Sequence, residues 1–212
     1  MQQVYDLIIE TRIIAGMRGD FAPEVAIKTA STLLDYGIKV FEFTMNSVQP
    51  ITAMQAVKRE FGDDVCVGMG TVLNVETARR VLDAGAEFVV SPAFQPDVVE
   101  TVMKADVLVA PGVATPTEAV HAWDMGVKML KLFPIGSLGV DYFKAIFGPL
   151  SHMKFMCNGG MNAENSAQFI QAGAVACGMA GWLTGDGHMD EDLMRRRAEQ
   201  LVTAVQGKDR VI

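Results

Sequence analysis

The sequence has no excess of basic residues, no paired cysteines and no long apolar run. Its 18 Lys and Arg residues are outnumbered by 25 Asp and Glu residues, for a net charge of -7. Such a chain is a poor general binder of nucleic acids or membrane surfaces, because both are polyanions. No apolar stretch approaches the ~20 residues of a membrane span, and no basic segment leads into an apolar one after Met1. We therefore expect a cytoplasmic chain that binds neither nucleic acid nor a membrane.

Cysteine and histidine are scarce and scattered along the chain. Cys66, Cys157 and Cys177 form no C-x-x-C pair, which favours reduced cysteines in the core. The three histidines lack the spacing of zinc ligands, and no G-x-S-x-G motif or Cys/His arrangement suggests acyl transfer. We expect no metal and no cofactor, so the chemistry is sought among ordinary side chains.

What the sequence does contain is a repeated unit: a short β-branched or aromatic run, a break, and an amphipathic helical stretch. Eight runs recur at spacings of roughly 19 to 26 residues, which is one βα unit each. They are centred on Ile13–Met17, Lys39–Thr44, Val65–Met69, Glu87–Ser91, Val107–Ala110, Lys128–Phe133, Met153–Cys157 and Ala174–Met179. The helical segments between them include Pro23–Tyr36, Val75–Gly85, Thr115–Gly126 and Asn162–Gly173. Several of these segments end in glycine, the expected helix stop.

Eight consecutive βα units predict an α/β fold, a single-domain (β/α)8 TIM barrel over residues 1–212. The segment Gln2–Thr11 predicts an extra N-terminal helix that closes the barrel bottom. A doubly wound open sheet is the main rival fold. That fold usually carries a Gly-rich phosphate fingerprint after its first strand, and Met17-Arg18-Gly19-Asp20 is not one. Barrel enzymes carry their chemistry at the carboxyl ends of the strands, so those positions hold the candidate site.

Two of the predicted strands direct charged side chains into the barrel. In Val40–Thr44, the two-residue period places Glu42 and Thr44 on one face and the two phenylalanines on the other. In Lys128–Phe133, Lys131 takes the face opposite to the two leucines. Phenylalanine and leucine suit the side that faces the helices. We therefore expect the polar side chains of both strands to point inward.

These inward positions suit Schiff-base chemistry. Desolvation disfavours the charged form of a lysine that is buried among apolar neighbours, and a neutral amine at Lys131 is the nucleophile that a ketone requires. Glu42 can counter the lysine charge at rest and move protons during the reaction. Arg18 ends the first strand and offers a planar fork for a substrate carboxylate. The residues predict a metal-independent aldolase that makes or cleaves 2-keto acids.

Three other interpretations stay open at this point. Arg18, Glu42 and Lys131 could form a structural ion network that fills the barrel. The barrel could also belong to a sugar-phosphate epimerase or isomerase, which would need paired acid/base residues or a metal and would have no reason to bury Lys131. A non-catalytic ligand-binding barrel would have an intact pocket and no turnover.

Six segments of the chain together carry a family resemblance. They are Arg12–Arg18, Phe41–Thr44, Gly68–Val72, Val90–Pro92, Pro111–Glu118 and Leu130–Pro134. In this combination and order the chain resembles, over nearly its whole length, the 2-keto-3-deoxy-6-phosphogluconate (KDPG) aldolase and 4-hydroxy-2-oxoglutarate (KHG) aldolase family. The resemblance implies a class I aldolase on a TIM barrel, usually a homotrimer. Its products would be pyruvate and an aldehyde, glyceraldehyde 3-phosphate or glyoxylate, in carbohydrate metabolism of the Entner–Doudoroff type.

The resemblance also implies roles for individual residues. Lys131 would carry the pyruvate imine, and Glu42 would be the general acid/base. Arg18 would hold the pyruvate carboxylate. Thr71, Pro92 and Phe133 would line the pocket. We also expect substrate contacts from Thr44, which takes the inward face of its strand, and from Asn158, Gly159, Gly160, Ala180 and Gly181.

Three departures from the family pattern concern anion binding. Members usually have Pro-Thr-Gly-Gly after the seventh strand, whereas this chain has Cys157–Gly160, so the amide of Asn158 would replace a threonine hydroxyl. Ala180-Gly181 replaces a Gly-Ser whose hydroxyl binds phosphate, a loss of ~1.5–3 kcal/mol, although backbone N–H groups can still bind phosphate. An arginine found in many members is Asn46. Whether the substrate is phosphorylated therefore stays open.

Overall fold

The computed structural model describes residues 1–206, which form a parallel β-barrel surrounded by helices. The strands are β1 Ile13–Met17, β2 Val40–Thr44, β3 Cys66–Gly70, β4 Phe88–Val90, β5 Leu108–Ala110, β6 Gly112–Val113, β7 Leu130–Leu132, β8 Phe155–Asn158 and β9 Ala176–Met179. Their order in the sheet is β5-β4-β3-β2-β1-β9-β8-β7-β6. Each strand therefore lies beside its neighbour in the chain, as consecutive βα units require.

The sheet closes into a barrel around Pro111. β5 and β6 are the two ends of the sheet order, and in the chain only this one residue separates them. The strand is interrupted there because proline has no N–H to donate to a strand ladder. The Pro111 carbonyl accepts a hydrogen bond from Lys131 N at 2.9 Å, and the Ala110 carbonyl accepts one from Ser91 N at 3.3 Å. The predicted fifth strand is thus one interrupted segment. The predicted (β/α)8 TIM barrel is confirmed.

The helices lie mainly outside the barrel. They are α1 Gln2–Thr11, α2 Pro23–Leu34, α3 Pro50–Phe61, α4 Val75–Asp83, α5 Pro96–Lys104, α6 Pro116–Asp124, α7 Ile135–Leu138, α8 Val140–Phe147, α9 Ala163–Gln171 and α10 Glu191–Gln206, with a 3-10 turn at Gly62–Asp64. After α4 and α6, Gly85 and Gly126 have φ angles of 91° and 89°, a left-handed conformation that glycine adopts without steric cost. None of the helices described is long and apolar enough to cross a membrane.

Two apolar cores hold the barrel together. The larger one lies between the strands and the helices. The smaller one fills the interior toward the amino ends of the strands with Ile8, Ile14, Val40, Cys66, Phe88, Val90, Leu108, Ala110, Met129, Met156 and Ala176. Ile8 belongs to α1, and Gln2 of the same helix accepts a hydrogen bond from Lys128, just before β7, at 2.6 Å. The N-terminal helix therefore closes the amino end of the barrel, as predicted.

Glycine replaces large side chains in the other half of the interior. The next inward positions toward the carboxyl ends include Gly16 in β1, Gly68 in β3 and Gly112 in β6. In the strand register, Glu42 lies between Gly16 and Gly68, and Lys131 lies beside Gly112. Both strand neighbours of Glu42 and one neighbour of Lys131 therefore have no side chain, although the Phe88 ring and the Pro92 backbone occupy the volume next to Gly68 and Gly112.

Candidate active site

Alternation along β2 and β7 turns Glu42 and Lys131 into the barrel. Phe41 and Phe43 flank Glu42 in the chain, and they pack in the outer core with the leucines that flank Lys131. Because successive side chains of a strand point to opposite faces, the charged residues between them face inward. Glu42 is only 4% exposed and Lys131 only 7%.

A cavity of about 280 Å³ lies at the carboxyl ends of the strands. All twelve residues singled out from the sequence line it: Arg18, Glu42, Thr44, Thr71, Pro92, Lys131, Phe133, Asn158, Gly159, Gly160, Ala180 and Gly181. Five further lining residues were not predicted: Gly16, Met161, Gly178, Met179 and Trp182. The alternation of inward and outward positions along β1 and β9 would have identified Gly16 and Gly178. Trp182 follows β9 in an irregular turn, where no periodicity applies.

A second and larger cavity, of about 380 Å³, lies outside the barrel between α2 and α10. Two of its charged residues, Lys28 and Glu191, already form an exposed ion pair at 3.0 Å. It contains neither Lys131 nor Glu42, and within the described chain only helix and loop residues line it, whereas the chemistry of barrel enzymes uses residues at the ends of the strands. The smaller cavity is therefore the candidate active site.

Neither Lys131 nor Glu42 has an ion-pair or hydrogen-bond partner for its side chain within residues 1–206. Lys131 Nζ lies 5.0 Å from the centroid of the Phe133 ring, at a distance typical of a cation–π contact. No ion pair joins Glu42 to Lys131 within residues 1–206, although both side chains face the same cavity. The structural ion network is excluded for the same reason, since no ion pair joins these residues or Arg18 in the described part of the chain.

Glycines next to the functional side chains keep the cavity open. A Cβ atom on Gly70 would overlap the carboxylate of Glu42, and a Cβ atom on Gly178 would overlap the amide of Asn158. Asn158 lies directly opposite Gly178 in the strand register. These positions hold glycine because the neighbouring strand's polar side chain occupies the volume that a methyl group would need.

Thr71 adopts a backbone conformation that few residues other than glycine accept. Its φ is 60°, and for a β-branched residue this left-handed conformation costs of order 1–3 kcal/mol. Thr71 follows β3 directly and lines the cavity. Backbone strain of this kind persists only where the surrounding structure holds it, and it is commonly found at functional sites.

The far wall of the cavity consists of one amide and a run of small residues. Asn158 is 6% exposed, and its Oδ1 has no hydrogen-bond partner among the described residues. Beyond it lie Gly159, Gly160 and the Ala180-Gly181 pair. Among the lining residues within the described chain, only Arg18 and Lys131 are cationic. Backbone N–H groups of the small residues and the Asn158 amide are therefore candidate donors to a ligand anion at this wall.

The cysteines play no nucleophilic part at the site. All three are free and buried, which agrees with the prediction of reduced core cysteines. Burial raises the pKa of Cys66 and of Cys177 to about 12 and raises that of Cys157 well above its ordinary value. The thiols therefore stay protonated at neutral pH, and a thiol is a far weaker nucleophile than a thiolate.

A parallel barrel with an unpaired lysine and a carboxylate at the carboxyl ends of its strands defines the class of Schiff-base, or class I, aldolases. Within that class, the chain belongs to the KDPG and KHG aldolase family, whose model matches residues 4–198. The family and the carbon–carbon lyase type predicted from the sequence are thereby confirmed.

Individual relatives agree with this assignment. The chain is 36% identical over 157 residues to a 2-dehydro-3-deoxy-phosphogluconate aldolase of Treponema pallidum (strain Nichols), covering 73% of this chain and 74% of that protein. It is 33% identical over 168 residues to a 2-dehydro-3-deoxy-6-phosphogalactonate aldolase of Escherichia coli (strain K12), covering 79% and 82%. It also matches a structure of KDPG aldolase from Legionella pneumophila, with pyruvate captured at low pH as a covalent carbinolamine intermediate. That match has a TM-score of 0.79 at 25% identity and covers 94% of both chains.

Gly70 lies so close to the Glu42 carboxylate that there is no room for a methyl group between them. In Gly70→Ala, the new methyl group would displace the Glu42 carboxylate, and a misplacement of about 1 Å can reduce turnover about 10²-fold. We expect kcat for the cleavage of a 2-keto-3-deoxy acid to fall by about this factor, while circular dichroism shows a folded barrel.

Gly148→Ala is the matched control, because a Cβ atom there would meet only the Lys144 carbonyl at 3.4 Å and the position lies outside the cavity. Its kcat should equal that of the wild type. If Gly70→Ala kept the wild-type kcat, a glycine at position 70 would not be needed to keep the Glu42 carboxylate in place.

Proposed function

We propose that this chain reversibly cleaves 2-keto-3-deoxy sugar acids, or 4-hydroxy-2-oxoglutarate, to pyruvate and an aldehyde through an imine on Lys131. The neutral amine of Lys131 attacks the C2 carbonyl to form a carbinolamine, which loses water to give the imine. The C3–C4 bond then breaks, its electron pair moves toward the imine nitrogen, and the aldehyde leaves. The resulting enamine takes a proton at C3, and water hydrolyses the pyruvate imine to free the amine.

The observation that carries this proposal is the burial of Lys131 without a polar partner. A lysine that is 7% exposed normally requires an ion pair or hydrogen bonds, because taking an ammonium group out of water costs several kcal/mol. Lys131 has neither within residues 1–206. Such a lysine is available to attack the carbonyl of a ketone that binds in the cavity. An epimerase or a binding protein would gain nothing from this arrangement.

Glu42 is the group that we assign to proton transfer. Its carboxylate accepts the proton of the C4 hydroxyl as the C3–C4 bond breaks, and it can return a proton to the enamine carbon. Its position supports this role, because it faces the same cavity as Lys131 and no hydrogen bond within the described chain restrains its oxygens.

Arg18 and the polar rim of the cavity would bind the substrate carboxylate. The guanidinium presents a planar pair of donors that matches a carboxylate, and no partner within residues 1–206 occupies it. Thr44 and Thr71 also line the cavity, and Pro92 and Phe133 would pack against the pyruvyl group. The family resemblance supports these roles.

The distal end of the substrate would lie against Asn158, Gly159, Gly160 and the Ala180-Gly181 pair. Asn158 brings an amide with an unused acceptor, and backbone N–H groups of the small residues can bind a phosphate. The named relatives act on sugar acids that differ in stereochemistry at C4, since gluconate and galactonate are C4 epimers. 2-Keto-3-deoxy sugar acids of either C4 configuration are therefore candidate substrates.

We further propose that the protein acts in the cytoplasm as a homotrimer in carbohydrate metabolism of the Entner–Doudoroff type. Its acidic composition, with a net charge of -7, suits a protein that does not associate with polyanionic surfaces. The family resemblance supports the homotrimer and the metabolic role.

Covalent trapping tests the imine directly. Incubation with pyruvate followed by borohydride reduction should increase the protein mass by one reduced pyruvate, and peptide mapping should locate the adduct on Lys131. The Lys131→Met variant should show no adduct, because no other lysine lines the cavity in the described chain.

Lys128→Met is the matched control, since Lys128 lies three positions earlier and instead bonds to Gln2 of α1. It should be trapped as the wild type is. A wild-type protein that is folded and yet forms no adduct would overturn the proposed mechanism.

Removal of the Glu42 charge tests the acid/base assignment. Glu42→Gln keeps the size of the side chain but cannot accept a proton, so kcat should fall by about 10²–10⁴ while thermal unfolding stays close to that of the wild type. Glu60→Gln on the exposed face of α3 serves as the matched control away from the cavity. Near-normal turnover in Glu42→Gln would reassign proton transfer to water or to another group.

A substrate panel tests recognition at the distal wall. Because one hydroxyl of the usual phosphate site is missing, the gain in kcat/KM from a 6-phosphate should be about tenfold to a hundredfold smaller than in family members that have the hydroxyl. The panel compares 2-keto-3-deoxy acids with and without the 6-phosphate, and 4-hydroxy-2-oxoglutarate. A preference of several orders of magnitude for the phosphate would show that backbone donors alone form a strong phosphate site.

A further inference from the structure

The short segment after β1 that carries Arg18 is held by hydrogen bonds from two neighbouring loops. Gly19 N donates to Ser47 Oγ at 3.0 Å, and Val48 N donates to the Gly19 carbonyl at 3.0 Å. On the other side, Asp20 N donates to the Asp186 carbonyl at 2.7 Å. The loops after β2 and β9 therefore fix the backbone on which Arg18 stands.

Ser47 is the side chain at the centre of this network. Its hydroxyl lies 2.8 Å from the Thr44 hydroxyl and 3.4 Å from the Met17 carbonyl, in addition to accepting from Gly19 N. Met17 and Gly19 are the residues immediately before and after Arg18. One half-buried hydroxyl thus contacts the backbone on both sides of the arginine.

The side chain of Arg18 is not held in the way that its backbone is. Its guanidinium is exposed, lines the cavity and has no partner within residues 1–206. A long side chain of this kind loses rotamer entropy when it binds a carboxylate in a planar geometry. A fixed backbone does not remove that cost, but it sets the Cα atom and the Cα–Cβ direction in advance, so that only the side-chain torsions have to be ordered on binding.

We propose that Ser47 is a positioning residue for substrate binding, which acts by holding the backbone of Arg18 so that the guanidinium faces the substrate carboxylate. The inference rests on the proposed function, in which Arg18 binds that carboxylate. Ser47 does not line the cavity in the described chain, so its effect on substrate is indirect. Thr44, which does line it, is the other residue through which Ser47 could act.

The test uses pyruvate alone as the probe and a double-mutant cycle. Loss of one hydrogen bond in Ser47→Ala should raise the pyruvate concentration for half-maximal borohydride trapping on Lys131 about fivefold to tenfold. KM for the keto acid should rise by the same factor, and kcat should stay within about threefold of the wild type. Ser47→Thr, which keeps the hydroxyl, should restore the wild-type values.

The cycle shows through which residue Ser47 acts. In an Arg18→Ala background, Ser47→Ala should have no further effect on half-maximal trapping, because effects that pass through one residue are not additive. In a Thr44→Val background, it should have its full effect. Ser31→Ala, on the exposed side of α2, should leave both trapping and KM unchanged.

Three results would overturn the positioning role. Equal effects of Ser47→Ala in the wild-type and Arg18→Ala backgrounds would show that Ser47 does not act through Arg18. Loss of the effect only in the Thr44→Val background would assign it to Thr44. A lower unfolding temperature with unchanged trapping and KM would make Ser47 merely structural. A wild type that cannot be trapped at all would instead contradict the proposed function, so the two failures are distinguishable.

Discussion

The active site depends on the burial of two ionisable side chains that do not pair with each other. Lys131 and Glu42 are 7% and 4% exposed, and burial of a polar or charged group without a partner costs several kcal/mol. The fold must supply that free energy elsewhere. It does so with two apolar cores, one behind the strands and one at the amino end of the barrel. Reactivity at one end of the barrel therefore depends on packing at the other.

The interior of the barrel has two levels. One level stabilises the fold, and the other holds the functional side chains. Toward the amino ends, large side chains and Ile8 of α1 exclude water and stabilise the fold. Toward the carboxyl ends, glycines such as Gly70 and Gly178 give their volume to the polar side chains of neighbouring strands. A methyl group on either glycine would overlap Glu42 or Asn158, although both positions lie in strands that tolerate larger residues elsewhere. The room for these polar side chains is thus encoded as specifically as the side chains themselves.

The sequence predicted the parts of this arrangement that depend on periodicity. The alternation of side chains along each strand was enough to predict that Glu42 and Lys131 point inward, and the eight βα units predicted the barrel. It could not predict that Glu42 and Lys131 remain unpaired, because the distance across a barrel depends on strand tilt and packing. Nor could it identify Ser47 or Trp182, which lie in irregular loops where contacts depend on tertiary structure. Pro111 was visible in the sequence, but only the closed sheet shows that it interrupts the strand completing the barrel.

The distribution of charge in the cavity also bears on how the substrate would be selected. Both cations that line it within the described chain, Arg18 and Lys131, serve the pyruvyl end in the proposed mechanism. At the distal wall, the unpaired amide oxygen of Asn158 and the backbone of the small residues remain. Hydrogen bonds to a buried amide discriminate strongly between substrates with and without a matching hydroxyl, since an unmatched group stays unpaired. Recognition of the far end should therefore depend more on hydroxyl geometry than on charge, whereas every substrate must present the same 2-keto carboxylate to Lys131 and Arg18.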